Sequence, residues 1–569
     1  MDSAGVAIND AIRQKLASQK VAVYEGSAVD KDGAHYVALD LDGTPRLLQL
    51  GGLPGTHGLS EPIWSEEAAY LYSFGSKDRA NISAFANHID RSFLPRPQGA
   101  LPAIAAGNRH PEISLPAVFQ AFDEIRAKSG LNLASTVQLS ATREMTADEG
   151  IAARDGSNAT APGHTRVSIL DLYHAGLWAA IRAGYRYGYN AEADHFIVSG
   201  NNDDEIARSV EWVKEAIRQA AGYTKFTTDT SRVFDLRADS RHPSPLSLSE
   251  IEELFEQRLT ANERGWVLDA FSRPFECEGR KYRFENVEIK RLAVKFGPSL
   301  KLNEDLFDAI AKVKNNAPFD FEPSLDEAET LTTPEELIFY MHWLRERGRP
   351  AQLAPPNLGF KKRQAYPETR AALAEYASHK MWPELLARVD AAFAGDSIAE
   401  LKARVQELAD VARFFDGTLS IHSGSGKQAE VLRSIGSATR GRLNYKISGE
   451  LQLQLFDVLS EQPAGSPERL LFERMVRACE RFAEAGAFGS ESELAAQYHA
   501  SHGAYLGDAQ RGRVDGNLFL VFWLGNMVGS RDEDGRFFKE SLDRLPAGVM
   551  GETRRRNVEY VKWLAGNLF

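Results

Sequence analysis

Four short segments place ionisable side chains where apolar, strand-like runs end. They are Ala191-Glu192-Ala193-Asp194-His195, Thr227-Thr228-Asp229, Phe319-Asp320-Phe321-Glu322 continuing to Asp326-Glu327, and Leu419-Ser420-Ile421-His422. Two imidazoles and a carboxylate gathered at one end of a parallel barrel are the minimum set for a divalent metal with positions left open for substrate. His195 and His422 are the candidate ligands. Asp194 is adjacent to His195, so if both follow the strand they point in different directions, one holding the metal and the other handling protons. Glu322 follows two phenylalanines at the end of a buried run, where an acid needs a partner or a metal. Asp194 and Glu322 are therefore the candidate catalytic acid/base groups. Each has a structural alternative: a turn cap for Asp194, a salt bridge to an arginine for Glu322, and hydrogen-bonded structural roles for the histidines.

His422 opens into Ser423-Gly424-Ser425-Gly426-Lys427, which at first sight suggests a phosphate loop. The spacing excludes it. A Walker A motif needs glycine where Ile421 stands, and serine or threonine where Gln428 stands. What remains is a turn with free N–H groups, a helix N-terminus and Lys427, a combination that suits an anion such as a carboxylate. Arg109 and Arg143 follow the first two strand-like runs and could capture a carboxylate in bidentate fashion, and Asp229 is a further candidate substrate contact. Solvated or salt-bridged arginines are the commoner case. No Gly-x-Gly-x-x-Gly turn follows a strand, so no nicotinamide is expected.

The elements that must position these groups read as alternating strands and amphipathic helices from Leu101 onward, the pattern of parallel βαβ units. Eight runs qualify as strands: Leu101 to Ala106, Ala134 to Leu139, Tyr189 to Ala193, Thr224 to Thr228, Phe319 to Phe321, Gln352 to Ala354, Thr418 to Ile421 and Leu443 to Ile447. They predict an α/β chain folded as a (β/α)8 TIM-type barrel over residues 96–458, with all strand ends opening on one face. Residues 1–95 mix short alternating segments with Gly and Pro turns and suggest a small α+β region. An insertion over about 230–316, with a strand-like segment near Tyr282 to Ile289, is expected to form a lid or subdomain over the site. Residues 459–569 read as a helical C-terminal region. Thr333-Pro334-Glu335-Glu336 is a capping box with proline at the first helical position.

Composition narrows the class. A net charge of -12 argues against nucleic acid as the main partner, because phosphate backbones call for a basic face. No apolar run approaches the ~20 residues that a membrane helix needs. Two cysteines, Cys277 and Cys479, are too few for a disulfide framework or a thiolate zinc site and read as packing residues. Without a visible secretory signal the cytoplasm is the expected location. Oligomeric state is left open.

Taken together, Ala193-Asp194-His195, Lys225-Phe226-Thr227-Thr228-Asp229, Phe319 through Glu322 with Asp326 through Thr330, and Ile421-His422-Ser423-Gly424-Ser425 resemble the tagaturonate epimerase family, with a weaker echo at Tyr498-His499. The resemblance implies a metal-dependent barrel enzyme interconverting D-tagaturonate and D-fructuronate. It implies a proton-handling role for Asp194, metal ligation by His195 and His422, and for Glu322 either the second acid/base or a further ligand; Gln352 and Asn357 are other candidates for the third ligand. The metal could be Zn, Mn, Ni or Co. The inverted carbon lies β to the ketone, so its C–H is not acidified. Retro-aldol cleavage and re-addition on the other face is the chemistry expected, with a metal stabilising the enediolate. Alternatives are another metal-dependent barrel aldolase or ketose isomerase, and a sugar-acid binding protein without catalysis.

Overall fold

Eight parallel strands pair side by side in a computed structural model that describes residues 20–108, 110–131, 133–140, 166–326, 328, 330–361, 364–377, 383–447, 449–485, 524–525 and 527–569. They are β1 (Ala103–Gly107), β2 (Ala134–Ser140), β3 (Tyr189–Ile197), β4 (Lys225–Asp229), β5 (Asp320–Pro323), β6 (Leu353–Ala354), β7 (Thr418–Ile421) and β8 (Leu443–Ile447). Their order is β5-β4-β3-β2-β1-β8-β7-β6. Gln352 closes the remaining gap: its N–H donates to the Phe321 carbonyl at 3.1 Å, and its side-chain oxygen accepts from the Phe321 N–H at 2.8 Å. The result is the expected TIM-type barrel, with helices between the strands.

Alternation along the strands sorts side chains between wall and interior. Phe226, Phe321 and Ile421 are buried in the apolar core between sheet and helices. Lys446 of β8 contacts Glu192 of β3 and Glu322 of β5, strands that are not its neighbours, which is possible only inside the barrel, and Lys225 of β4 meets both glutamates from the strand between them. At the other end of β5, Asp320 accepts from the backbone N–H groups of Gln98 and Gly99 and from Asn190. The segment before β1 thereby plugs the end of the barrel away from the active face.

An antiparallel sheet built from strands between Val21 and Ser73 precedes the barrel. It docks on helix Ile169–Ala183 through Tyr24 and Phe74, whose rings meet Trp178 edge-on at 5.5 and 5.7 Å. The docking is close enough to require glycine. A Cβ on Gly184, at φ +64, would lie 2.7 Å from the Gly26 Cα.

The long connection after β4 differs from expectation. Of the segment read as extended, Tyr282 to Ile289, only Tyr282 is strand, at the end of Arg280–Tyr282, which pairs with Phe275–Cys277; from Asn286 the chain is one helix to Val313. Ile289, Leu292, Ala293, Phe296 and Leu300 recur at helical spacing and are buried, so packing favours helix there. That helix packs beside helices Asp203–Gln219 and Pro334–Glu346, so it is a wall helix of the barrel. The helices Leu248–Arg258 and Ala261–Ala270 and the small hairpin lie outside it. Trp266 meets Trp343 at 4.9 Å and Phe271 stacks on Phe339 at 4.4 Å, which fixes this part against the outer helices. Thr333 and Glu336 form the expected capping box.

Beyond the barrel, helices Pro467–Glu484, Phe538–Leu542 and Ala547–Leu568 follow, the last packing on Pro111–Ser129 and Ala429–Thr439. No helix among the described residues is long and apolar enough to cross a membrane.

Candidate active site

A bulge in β3 sets the geometry. Ala193 lies opposite Phe226 and Phe196 opposite Thr228, so Asp194 and His195 together stand against one residue of β4. His195 absorbs the extra residue at φ 53, a left-handed conformation that costs a histidine roughly 1–2 kcal/mol. Without the bulge the two side chains would face opposite sides of the sheet. With it they share the barrel mouth, which corrects the expectation that they point apart. His195 Nε2 lies 3.7 Å from Asp194 Oδ2, and His195 Nδ1 lies 3.7 Å from Asp229 Oδ2. Asp229 is itself steadied by the N–H and hydroxyl of Ser231, at 3.1 and 2.6 Å.

Beneath the mouth, two lysines and two glutamates alternate in a ring. Lys225 Nζ lies 3.1 Å from Glu192 and 2.8 Å from Glu322; Lys446 Nζ lies 2.6 Å from the other oxygen of each. All four side chains are buried, and burial is tolerated because every charge has opposite neighbours. Lys446 also donates to Asp194 at 2.7 Å and to Thr227 at 3.2 Å. Burial pulls the Lys446 ammonium toward neutrality, but Asp194, Glu192 and Glu322 outweigh it and hold its pKa well above the usual lysine value. The same contest leaves Glu322 well below the carboxylate range: burial raises it, and Lys225 and Lys446 lower it further. Asp194 is likewise raised by burial and driven well below by His195 and Lys446. Both candidate acid/base groups are ionised at neutral pH.

His422 follows the last residue of β7. Its Nε2 lies 2.7 Å from Glu322 Oε1 and its Nδ1 3.0 Å from Asp326 Oδ2. Burial would depress this imidazole, yet Asp326 and Glu322 reverse the effect and raise its pKa to about 9. The turn beyond is shaped by Tyr445, whose hydroxyl donates to the Gly424 carbonyl at 2.5 Å and whose ring leaves no room for a Cβ on Gly424.

The structure thus brings Asp194, His195, Asp229, Glu322 and His422 to one face. Lys427 is buried and its ammonium donates to the carbonyls of Lys361, Gln364 and Ser425, so it ties the turn after β7 to the loop after β6. Of the third-ligand candidates, only Glu322 touches the cluster: Gln352 closes the barrel, and Asn357 is bonded to Ala328 and Gly359. Arg109, Arg143 and the Tyr498-His499 pair lie outside the described residues. Sequence reasoning did not assign Glu192, Lys225, Lys446 and Asp326 to the site. Their signal was a polar residue at every second position of otherwise buried runs, as in Asn190, Glu192, Asp194 and in Asn444, Lys446.

The donor chemistry suits a divalent cation. Among the described residues, Glu192, Asp194, Asp229, Glu322 and Asp326 face the ammoniums of Lys225 and Lys446 and the two imidazoles, leaving carboxylates in excess within a buried space. Glu192, Asp194 and Glu322 present oxygens within 4.8 Å of one another. Imidazole nitrogen with carboxylate oxygen is the ligand mix preferred by zinc-like and manganese-like ions.

Comparison with known proteins gives this geometry its context. Residues 163–366, which contain β3 through β6, match one family model. That model describes the tagaturonate epimerase family. A curated tagaturonate/fructuronate epimerase of Thermotoga maritima is 28% identical over 307 residues, covering 52% of this chain and 51% of that protein. The chain therefore spans about half the length of the curated relative it matches. Crystal structures of the fructuronate-tagaturonate epimerase UxaE from Cohnella laeviribosi, native and with two glycerol molecules, superpose with a TM-score of 0.70. They cover 98% of this chain and 99% of theirs at 18% identity, a likeness that speaks for the fold. The tagaturonate epimerase match includes Asp194, His195, Asp229 and Glu322, whereas His422 and Lys446 lie beyond it.

Proposed function

We propose that this protein interconverts D-tagaturonate and D-fructuronate by retro-aldol cleavage and re-addition at a divalent-metal site on the barrel mouth. The observation that carries this reading is the pairing of two ionised carboxylates, Asp194 and Glu322, on one ammonium beside two imidazoles. Lys446 holds them at 2.7 and 2.6 Å, on strands that are not neighbours. A reaction that removes a hydroxyl proton and returns it after the aldehyde turns over needs two such groups close together. Family match and relative supply the substrate class.

In this scheme His195 and His422 would hold the cation, His422 giving up one of the protons it shares with Glu322 and Asp326, and Asp194, Glu322 or Asp326 would be the further ligand. The bound cation would supply Lewis-acid stabilisation of the negative charge that develops on the three-carbon fragment. Asp194 accepts the proton of the hydroxyl on the inverted carbon as the carbon-carbon bond breaks. The proton that Asp194 takes up passes by way of the Lys446 ammonium, which contacts both carboxylates, to Glu322, and Glu322 returns it when the bond re-forms on the opposite face. Asp229 fixes the orientation of His195, in the manner of carboxylates that steer ligating histidines. Arg109 and Arg143 are the proposed partners of the substrate carboxylate, while Lys427, through its bonds to three carbonyls, holds the turn after β7.

The test is an assay of the purified protein on tagaturonate, fructuronate, tagatose and fructose, with added divalent metal and with chelator. Epimer formation from the two uronates alone, abolished by chelator, is the expected result. Free three-carbon fragments without epimer would make it an aldolase. Inactivity on all four sugars with metal would leave a binding protein.

A further inference from the structure

The all-carboxylate corner of the site already contains a cation. Lys446 reaches from β8, where its backbone pairs with Ala105 of β1, across the interior to β3 and β5. Its Nζ lies 2.6 Å from Glu192 Oε1, 2.7 Å from Asp194 Oδ1 and 2.6 Å from Glu322 Oε1. These are the three residues whose oxygens cluster within 4.8 Å as a metal set would. The ammonium donates to Asp194 and Thr227 and forms ion pairs with Glu192 and Glu322, so three carboxylates share its charge. Lys225 engages the second oxygens of Glu192 and Glu322, so both glutamates are fixed from two sides.

Enzymes that use two metals place them ~3.5–4 Å apart, bridged or flanked by carboxylates. Here one carboxylate oxygen, Glu322 Oε1, lies 2.6 Å from the Lys446 ammonium and 2.7 Å from His422 Nε2, so the triad that holds the ammonium adjoins the two-histidine site. We infer that Lys446 stands in place of a second metal ion, so that the barrel mouth takes one divalent cation, at His195 and His422. Lys446 is then a positioning residue: it keeps Asp194 and Glu322 together and answers the charge of the triad that a second ion would otherwise meet. The inference rests on the metal-dependent reading of the site.

The experiment is metal analysis by mass spectrometry after equilibration of the full chain with Mn2+, for wild type, Lys446→Ala and His422→Ala, supported by anomalous scattering from Mn2+-soaked wild-type crystals. One equivalent in the wild type and two in Lys446→Ala are expected, with a single anomalous peak at the imidazoles. The Lys446→Ala variant should also gain more thermal stability from Mn2+ than the wild type, because the ion replaces a lost charge. Two equivalents in the wild type, or a wild-type peak inside the triad, would overturn the inference, as would a folded Lys446→Ala that still binds one. If Lys446→Ala does not fold, the wild-type peak position decides. No bound metal in the wild type would instead remove the metal reading itself, an outcome distinguishable from all of these.

Discussion

The imidazole rings of His195 and His422 stand edge to face, with centroids 5.3 Å apart and planes inclined at 74°. One comes from a bulge in β3 and the other from the residue after β7, and carboxylates flank both. This pair separates binding from proton transfer. His422→Ala should lose the metal, whereas Asp194→Asn should retain it and lose about 10²–10⁴ in turnover, the range for removal of a general acid or base. Metal content and kcat of the two purified variants check this. Full metal occupancy in the His422 variant would remove it from the ligand set.

The connection after β4 is clamped to the barrel by a second buried charge cluster. Lys295 Nζ lies 2.7 Å from Asp239 and 2.6 Å from Glu336, and Arg241 bonds to both acids and to the Leu331 carbonyl. Leu331 and Thr330 belong to the loop that follows Asp326. Lys295→Met leaves Asp239 and Glu336 with one cation and should cost about 3–5 kcal/mol, as breaking a buried pair does. Urea unfolding measures it. A loss below 1 kcal/mol would show that the clamp is dispensable.

The same cluster sets an acid limit. Burial raises the Asp239 pKa, but Arg241 and Lys295 bring it well below the usual aspartate value. A carboxylate with a depressed folded pKa stabilises above its unfolded pKa of about 4, and that contribution is lost as pH falls through the folded value. Lys295→Met weakens the depression. Its acid-unfolding midpoint should therefore move to higher pH than that of the wild type, as followed by circular dichroism; an unchanged midpoint would contradict this.

Neither cysteine should react in the native state. Both are buried, and burial pushes the Cys277 thiol up to about 11. Thiolate is the reactive species, so thiol titration should count none at pH 7.5 and both after denaturation. Fast native labelling would contradict the packing described.

Much of this was legible in sequence because barrel strands are short apolar runs with fixed punctuation. Thr418 to Ile421 and Leu443 to Ile447 are strands as expected, and the other six overlap their expected runs. Asp194, Glu322 and the two histidines stood out because they end such runs. Lys225, Glu192 and Lys446 did not, because inside a run a lone charge reads as an interruption of core. Only the closed barrel turns every second position toward a common centre. The β3 bulge was not legible either, since it depends on how Phe226 and Thr228 of a different strand set the register. The long wall helix from Asn286 was obscured because Val287 and Ile289 alternate like a strand before the helical repeat declares itself.

Carbon-carbon cleavage at the inverted centre is tested directly by proton NMR of D-tagaturonate incubated with the metal-loaded protein in D2O. Retro-aldol chemistry keeps the hydrogen on the inverted carbon as the aldehyde hydrogen. D-Fructuronate with no deuterium at that carbon is the expected product. Deuterium there would mean that the C–H bond is broken instead, and absence of fructuronate would contradict the assigned activity.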